Sequence, residues 1–288
     1  MRLFCFGLGY TAQALARTLA AEGWQIAGTT RDPDKQARLE REGIEVYAFE
    51  RDRPLKQAAQ ALAGTTHLLS SIAPDEGGDP VLGHHARDLL RCTSIAWAGY
   101  LGTTGVYGDR GGDWVSEADP TAPTMPRTLR RARAEAHWLA SGLPVQLFRL
   151  AGIYGPGRGR SALAAVRAGS ARRIVKPGQV FCRIHVDDIV QVLRASMARP
   201  NPGAVYNVAD DEPAPPQDVV TFACGLLGVE PPPETPFDAA ELSPMARSFY
   251  SDSRRICNSR IREELGVSLR YPSYREGLRA LLDEEASG

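Results

Sequence analysis

Residues 2–6, RLFCF, are apolar on successive positions after Arg2, the pattern of a short buried strand. The segment GLGYTA follows at 7–12. Ala12, Leu15, Ala16, Leu19 and Ala20 then recur at helical spacing until Gly23 ends the helix. The alternation continues along the chain. WQIAGTT (24–30), IEVYAF (44–49), THLLSSIA (66–73), SIAWAGYLG (94–102) and PVQLFRL (144–150) read as further strands, with helical stretches at 54–63 and 126–141. Strands alternating with helices predict an α/β fold built on a doubly wound parallel sheet. Ligands of such sheets sit at the C-terminal strand ends, which gathers Ser70, Ser71, Thr103 and the segment after Leu150 along one edge.

Punctuation changes after residue 150. Gly and Pro interrupt the chain at GPGRG (155–159), PNPG (200–203), EPAPP (212–216) and PPPETP (231–236). Helical patterns remain at 187–198, 216–227, 254–265 and 273–285. The expected organisation is a first domain over 1–150 and a smaller second lobe, mainly 151–288, with some segments returning to the first core.

Charge narrows the partners. Lys and Arg total 34 against 34 Asp and Glu, so the chain as a whole is not shaped for nucleic acid or an anionic membrane. Three residues are Lys, and Arg supplies the other positive charge. The five cysteines are scattered with no CxxC and no zinc-like His/Cys spacing, so no metal site is expected and a reduced, cytoplasmic setting fits. The N-terminal apolar run superficially resembles a signal peptide, but two glycines break it and strand plus helix accounts for it better. No stretch has the length and apolarity of a membrane span.

The first turn carries the most specific chemistry. Strand, glycine-rich turn and helix in that order form the dinucleotide-binding arrangement of a Rossmann domain. Gly7 allows the tight turn, Gly9 lets backbone approach a pyrophosphate, and Ala12 keeps helix close to strand. Tyr10 and Thr11 open the helix whose free N–H groups face the phosphates. An acid commonly ends the second strand and grips ribose hydroxyls; here Thr30 and Arg31 stand there. A carboxylate would repel a 2′-phosphate, whereas Thr30 donates a hydrogen bond and Arg31 supplies an ion pair. NADP is therefore the expected cofactor in preference to NAD.

Further segments, TTGVYG (103–108), RLAGIYGPGR (149–158), RIHVDDIV (183–190), YNVADDEP (206–213) and LGVSLRYPSYREGL (265–278), extend the pattern over nearly the whole chain. In this order they resemble an extended short-chain dehydrogenase/reductase of the NAD-dependent epimerase/dehydratase family. The resemblance implies a cofactor domain, a C-terminal substrate lobe and a small-molecule substrate such as a sugar derivative. It also implies a catalytic Ser/Thr after the fifth strand and a Tyr/Lys pair spaced YxxxK, with Tyr as general acid/base.

The carry-over is partial. Thr103 stands at the Ser/Thr position. Arg127 and Arg131, within PRTLRRARAE, stand at the Tyr and Lys positions, so YxxxK has become RxxxR, and no Tyr lies between 108 and 153. Gly152 replaces an Asn of the cofactor site. Guanidinium stays protonated near neutrality, so Arg127 cannot shuttle protons, while Arg131 could hold the ribose. Tyr107 and Tyr154 are the candidates for a displaced acid, with core packing as the alternative for each. Asp187 is expected to cap the helix after it, with His185 packed beside it. Arg158, Arg183, Arg254 and Arg255 are candidate contacts for an anionic, phosphorylated substrate, or else surface charge. Two functions stay open: an NADP-dependent reductase, epimerase or dehydratase, and an NADP-binding regulator without turnover. The oligomeric state is open too, with a homodimer as the candidate.

Overall fold

The computed structural model describes residues 1–158 and 161–287. In chain order its elements are β1 (Arg2–Phe6), α1 (Tyr10–Ala21), β2 (Gln25–Thr30), α2 (Pro33–Arg41), β3 (Glu45–Ala48), α3 (Ala58–Ala61), β4 (His67–Ser70), α4 (Pro80–Arg91), β5 (Trp97–Thr103), β6 (Trp114–Val115), α5 (Pro126–Leu139) and β7 (Val145–Leu150). There follow β8 (Gly152–Tyr154), α6 (Ala162–Arg167), β9 (Arg173–Val175), β10 (Arg183–His185), α7 (Val186–Ala198), β11 (Val205–Val208), α8 (Pro216–Leu227), β12 (Glu234–Pro236), α9 (Pro244–Phe249), β13 (Arg255–Ile256), α10 (Ser259–Glu263) and α11 (Tyr274–Ser287).

Seven strands form one sheet in the order β11-β7-β5-β4-β1-β2-β3. β1 pairs parallel with β2 and β4, β2 with β3, and β4 with β5. Strand order reverses beside β1, so the glycine turn opens where a doubly wound sheet leaves a crevice. Every residue of β1 is buried: the apolar run 3–6 by its side chains, and Arg2 through bonds to the Ala61 carbonyl, Thr65 and Glu45. α1 lays Ala12, Leu15, Ala16 and Leu19 against the sheet. Asp32 and Asp79 cap α2 and α4, each accepting two backbone N–H bonds with Pro at the first helical position.

By internal contacts the chain divides into two discontinuous units. Unit 1 comprises Met1–Val106, Met125–Arg149 and Val190–Tyr206; unit 2 comprises Tyr107–Thr124, Leu150–Ile189 and Asn207–Gly288. Unit 1 packs Phe4, Phe6, Leu68, Tyr100, Trp138 and Leu147 in its core. Unit 2 packs Tyr154, Leu163, Val219, Tyr274 and Leu278. Each such fully buried side chain contributes about 1.5–3 kcal/mol of transfer free energy.

Three expectations change. The stretch 254–265 is not one helix: Arg255–Ile256 pair with Trp114–Val115, and only Ser259–Glu263 are helical. The helix expected over 54–63 shrinks to Ala58–Ala61. Asp187 does not cap α7; His185 does, its Nδ1 accepting the Asp187 N–H at 3.2 Å. The helix starts one residue earlier than the Asp pattern suggests, because a neutral imidazole nitrogen serves as cap acceptor.

Candidate functional site

A cleft of about 690 Å³ opens at the C-terminal ends of the strands of unit 1. Gly7, Leu8, Gly9, Thr29, Thr30, Arg31 and Ser71 are in its wall. The turn is clamped from two neighbouring strands. Gly7 N–H donates to Thr29 Oγ1 at 2.8 Å and Leu8 N–H to the Thr29 carbonyl at 2.8 Å, while Ser71 Oγ donates to the Gly7 carbonyl at 2.5 Å.

The two glycines differ in what they supply. Gly7 has φ +87°, and a Cβ there would lie 2.8 Å from Ile72 Cγ1. The fold itself demands glycine at 7. Gly9 has an ordinary φ of −74°, and its Cβ would meet nothing nearer than Ser71 Oγ at 3.8 Å. The chain does not need glycine at 9; the volume that a Cβ would take belongs to the cleft. No side chain caps the start of α1, and no acid stands in its first turn. Thr11 and Ala12 are buried, so their part here is backbone N–H. This edge presents donors and a positive helix end, which suits a phosphate group.

The far wall is formed by Thr30, Arg31, Asp32, Lys35, Glu50, Arg51 and Asp52. Its charges are unequally committed. Asp32 Oδ1 accepts from Asp34 and Lys35 N–H, Glu50 pairs with Arg53, and Arg51 pairs with Asp75. Thr30 Oγ1 accepts from Asp32 N–H at 3.2 Å. Arg31 is exposed, and neither Arg31 nor Lys35 forms an ion pair among the described residues. Burial, then the charge of Arg38, pushes the Lys35 ammonium below its ordinary pKa, against the pull of Asp32. Sequence reasoning passed over Lys35 and Arg51. Lys35 was detectable, four residues past Arg31; Arg51 was not, since its partner is distant in sequence.

Ser70 departs from its expected place. It is fully buried and its hydroxyl has no partner. Alternation along an extended chain turns Ser70 into the core and its neighbour Ser71 to the cleft.

Around α5, Thr103 ends β5 half-buried. Its Oγ1 accepts from Gly105 N–H at 3.1 Å, and its proton has no acceptor among the described residues. Arg131 donates to the Leu101 carbonyl at 3.1 Å, which brings it beside the same strand end. Arg127 lies one turn earlier, half-buried. Arg130 faces elsewhere, 3.6 Å from Glu76, and Arg133 is exposed. Behind Arg131 lies a polar layer. Glu135, 3% exposed, accepts from Arg149 Nε and Nη2 at 3.1 and 3.0 Å. Its other oxygen has no partner and would lie 2.6 Å from a Cβ on Gly102, so glycine there makes room for the carboxylate. Burial pushes the Glu135 carboxyl up, against the pull of Arg149 and Arg131. Burial pushes the Tyr100 hydroxyl up, against the pull of Arg131.

Gly152, Tyr107 and Tyr154 belong to unit 2. Gly152 pairs with Arg183 where β8 meets β10. Tyr107 is fully buried and donates to Asn207 Oδ1 at 2.8 Å. Tyr154 donates to the Ser273 carbonyl at 3.4 Å and stands edge-on to His185 at 5.1 Å. Burial, then Asp210, pushes its phenol far above the usual range. Arg254 donates to the Gly108 carbonyl and pairs with Asp252, Arg255 donates to the Gly112 carbonyl, and Arg183 to the Phe181 and Ala214 carbonyls. Each of these three guanidiniums thus bonds backbone carbonyls within unit 2.

No family model matches the chain. Protein YeeZ of Escherichia coli (strain K12) is 28% identical, with 92% of this chain and 94% of that protein covered. A 3-diazoavenalumate denitrifying reductase from Streptomyces sp is 30% identical, covering 79% of this chain and 74% of the relative. Among solved structures, a functionally unknown conserved protein from Silicibacter pomeroyi DSS is 53% identical with a TM-score of 0.91, each chain covered to 98%. The UDP-glucuronic acid 4-epimerase from Bacillus cereus, in complex with NAD, shares the fold at TM-score 0.77 and 16% identity, with 100% of this chain and 99% of that one covered.

Fold and cleft together define a Rossmann-type α/β protein. The chain belongs to the extended short-chain dehydrogenases/reductases of the NAD-dependent epimerase/dehydratase family. No helix among its described residues is long and apolar enough to cross a membrane.

Proposed function

We propose that the chain is an NADP(H)-dependent reductase of a small molecule, with the dinucleotide held in the cleft of unit 1 and the substrate by unit 2. The observation that carries the cofactor reading is the cleft itself: room left by Gly9 at an uncapped helix start, and two uncommitted cations, Arg31 and Lys35, beside Thr30. Asp32, the acid nearest to them, already serves as a helix cap. A 2′-phosphate fits this wall better than a bare ribose. The 30%-identical relative is named a reductase, which supports hydride transfer over epimerisation or dehydration.

The nicotinamide ring would supply the hydride. The chain's own contribution is Thr103, whose free hydroxyl proton can be donated to an acceptor oxygen or nitrogen, and Arg131, which holds charge at the same strand end. Arg127 adds a second fixed cation. Without a phenol the site favours acceptors that are already activated or whose reduced product is a stabilised anion. The buried, committed hydroxyls of Tyr107 and Tyr154 favour a second reading, an NADP-binding protein without turnover.

Fluorescence titration with NADPH and NADH tests the cofactor assignment. Wild type should prefer NADPH, and the Arg31→Ala/Lys35→Ala double variant should lose about ten- to a hundredfold of NADPH affinity, as loss of charge-assisted contacts costs about 1.5–3 kcal/mol. An unchanged NADPH/NADH ratio refutes the assignment. NADPH oxidation over an acceptor panel, for wild type and Thr103→Ala, then separates the reductase from the silent binder.

A further inference from the structure

The residues 75–78, DEGG, form a tight turn whose first residue, Asp75, lines the cleft. Asp75 and Gly78 exchange backbone hydrogen bonds at 3.1 Å, and Asp75 Oδ1 accepts the Gly77 N–H at 2.8 Å. The turn follows β4, on the opposite side of the crevice from the loop that follows β3. Arg51, from that loop, reaches it. Its Nε meets Asp75 Oδ2 at 2.5 Å and its Nη2 donates to the Gly78 carbonyl at 2.8 Å. Gly77 lies flat on the guanidinium, where a Cβ would sit 3.0 Å from Cζ. From α5, Arg130 approaches Glu76 at 3.6 Å. Arg51 and Asp75 both line the 690 Å³ cleft.

We propose that the Arg51–Asp75 pair is a clasp across the dinucleotide cleft, which must open for the cofactor to exchange. The inference rests on the cofactor reading above. The chemistry fits a latch that opens readily. Arg51 and Asp75 side chains are 32% and 46% exposed, and a pair so open to solvent is weak, enough to bias an equilibrium and not enough to lock it. Glu76, at 95% exposure, adds only a weak outer hold on the turn. Unlike Arg31 and Lys35, Arg51 spends its charge on the protein, so it governs rate of access more than choice of ligand.

The test is stopped-flow dissociation of NADPH from the full chain. Arg51→Asp and Asp75→Arg should each release NADPH about two- to fivefold faster, the ratio that corresponds to the energy of such a pair. The charge-exchanged double variant Arg51→Asp/Asp75→Arg should return close to the wild-type rate. Arg53→Ala, which removes the neighbouring pair with Glu50, should leave the rate unchanged. Equal dissociation from all variants overturns the clasp. So does acceleration in Arg51→Asp that the double variant does not rescue, which would show Arg51 touching the cofactor directly. A wild type that binds no NADPH overturns the cofactor reading itself, and the clasp with it.

Discussion

The cleft beside β1 and the polar layer beneath α5 both collect polar groups in unit 1, and they use them in opposite ways. The cleft offers N–H groups, a hydroxyl and two cations to whatever enters, and its polar atoms are steadied by single bonds to backbone. The layer turns inward. Glu135 and Arg149 pair with each other, while the Ser70 hydroxyl and one oxygen of Glu135 are enclosed without protein partners. Substitutions in the cleft should therefore change affinity with little effect on stability, and substitutions in the layer should change stability with little effect on affinity.

The largest effect is expected in the layer. Glu135→Ala strands the buried Arg149 guanidinium and opens a void beside Gly102. Breaking a buried pair from one side costs about 3–5 kcal/mol. Urea denaturation should show that loss, with NADPH affinity of the folded fraction within about twofold of wild type. A loss of affinity matching the loss of stability would mean that Glu135 acts through Arg131 on the ligand, and the division between the two regions would fail.

Gly9 makes the reciprocal case. Its backbone is in a region open to any residue, and a Cβ finds space. Gly9→Val should leave the denaturation midpoint nearly unchanged and reduce dinucleotide affinity by about a hundredfold, equivalent to about 2.7 kcal/mol. Gly7→Ala, by contrast, should lose stability and affinity together, since its φ and its contact with Ile72 both forbid a side chain. Equal behaviour of the two variants would show that neither glycine is there for a ligand.

That contrast also explains what the sequence discloses. The order of strand, glycine turn and helix at 2–21 is legible because the elements adjoin and their hydrophobic period is unbroken. Thr30 and Arg31 are legible for the same reason. The strand at 255–256 is not, because its partner, 114–115, lies about 140 residues away and one of its two residues is an arginine. α2 escapes notice because its face mixes charge with few apolar positions, so its cap rather than its stripe defines it; α4 does carry a stripe, Val81, His85 and Leu89, that the two adjacent histidines obscure. RxxxR is visible as a departure from YxxxK. Its meaning depends on Leu101, Glu135 and Arg149, which only the folded chain brings together.

Unit 2 has its own inward-turned group, and pH reads it. His185 is fully buried with Nε2 unpartnered, between Tyr154 and Tyr271 and close to Asp187 and Arg270. Burial pushes its pKa from 6.5 down to about 4, against the pull of Asp187. The unfolded chain therefore binds a proton that the folded one refuses. The contribution to stability is complete above pH 6.5 and is lost as pH falls from 6.5 through 4. The contribution of His185 itself should be about 1–2 kcal/mol smaller at pH 5 than at pH 7, read as the difference between the pH profiles of wild type and a His185 variant. His185→Asn, which keeps an acceptor for the Asp187 N–H, should flatten that part of the profile.

Asp210 should give the smallest effect, with the opposite sign. Its carboxylate is buried, and burial raises its pKa well above 3.8, against the pull of Arg183 and of the Glu212 N–H. The folded state here holds a proton that the unfolded state releases. Its contribution is full below pH 3.8 and declines as pH rises towards the elevated folded value. Asp210→Asn removes the ionisation while keeping the shape, and Arg183 retains its bonds to the Phe181 and Ala214 carbonyls. The variant should therefore match or exceed wild-type stability at pH 8 by up to about 1 kcal/mol, and lose that advantage at pH 4. A clear destabilisation at pH 8 would mean that the charged carboxylate is itself held, through water or a ligand in unit 2. Asp210 would then belong with the outward-facing groups of the cleft rather than with the enclosed ones of the layer.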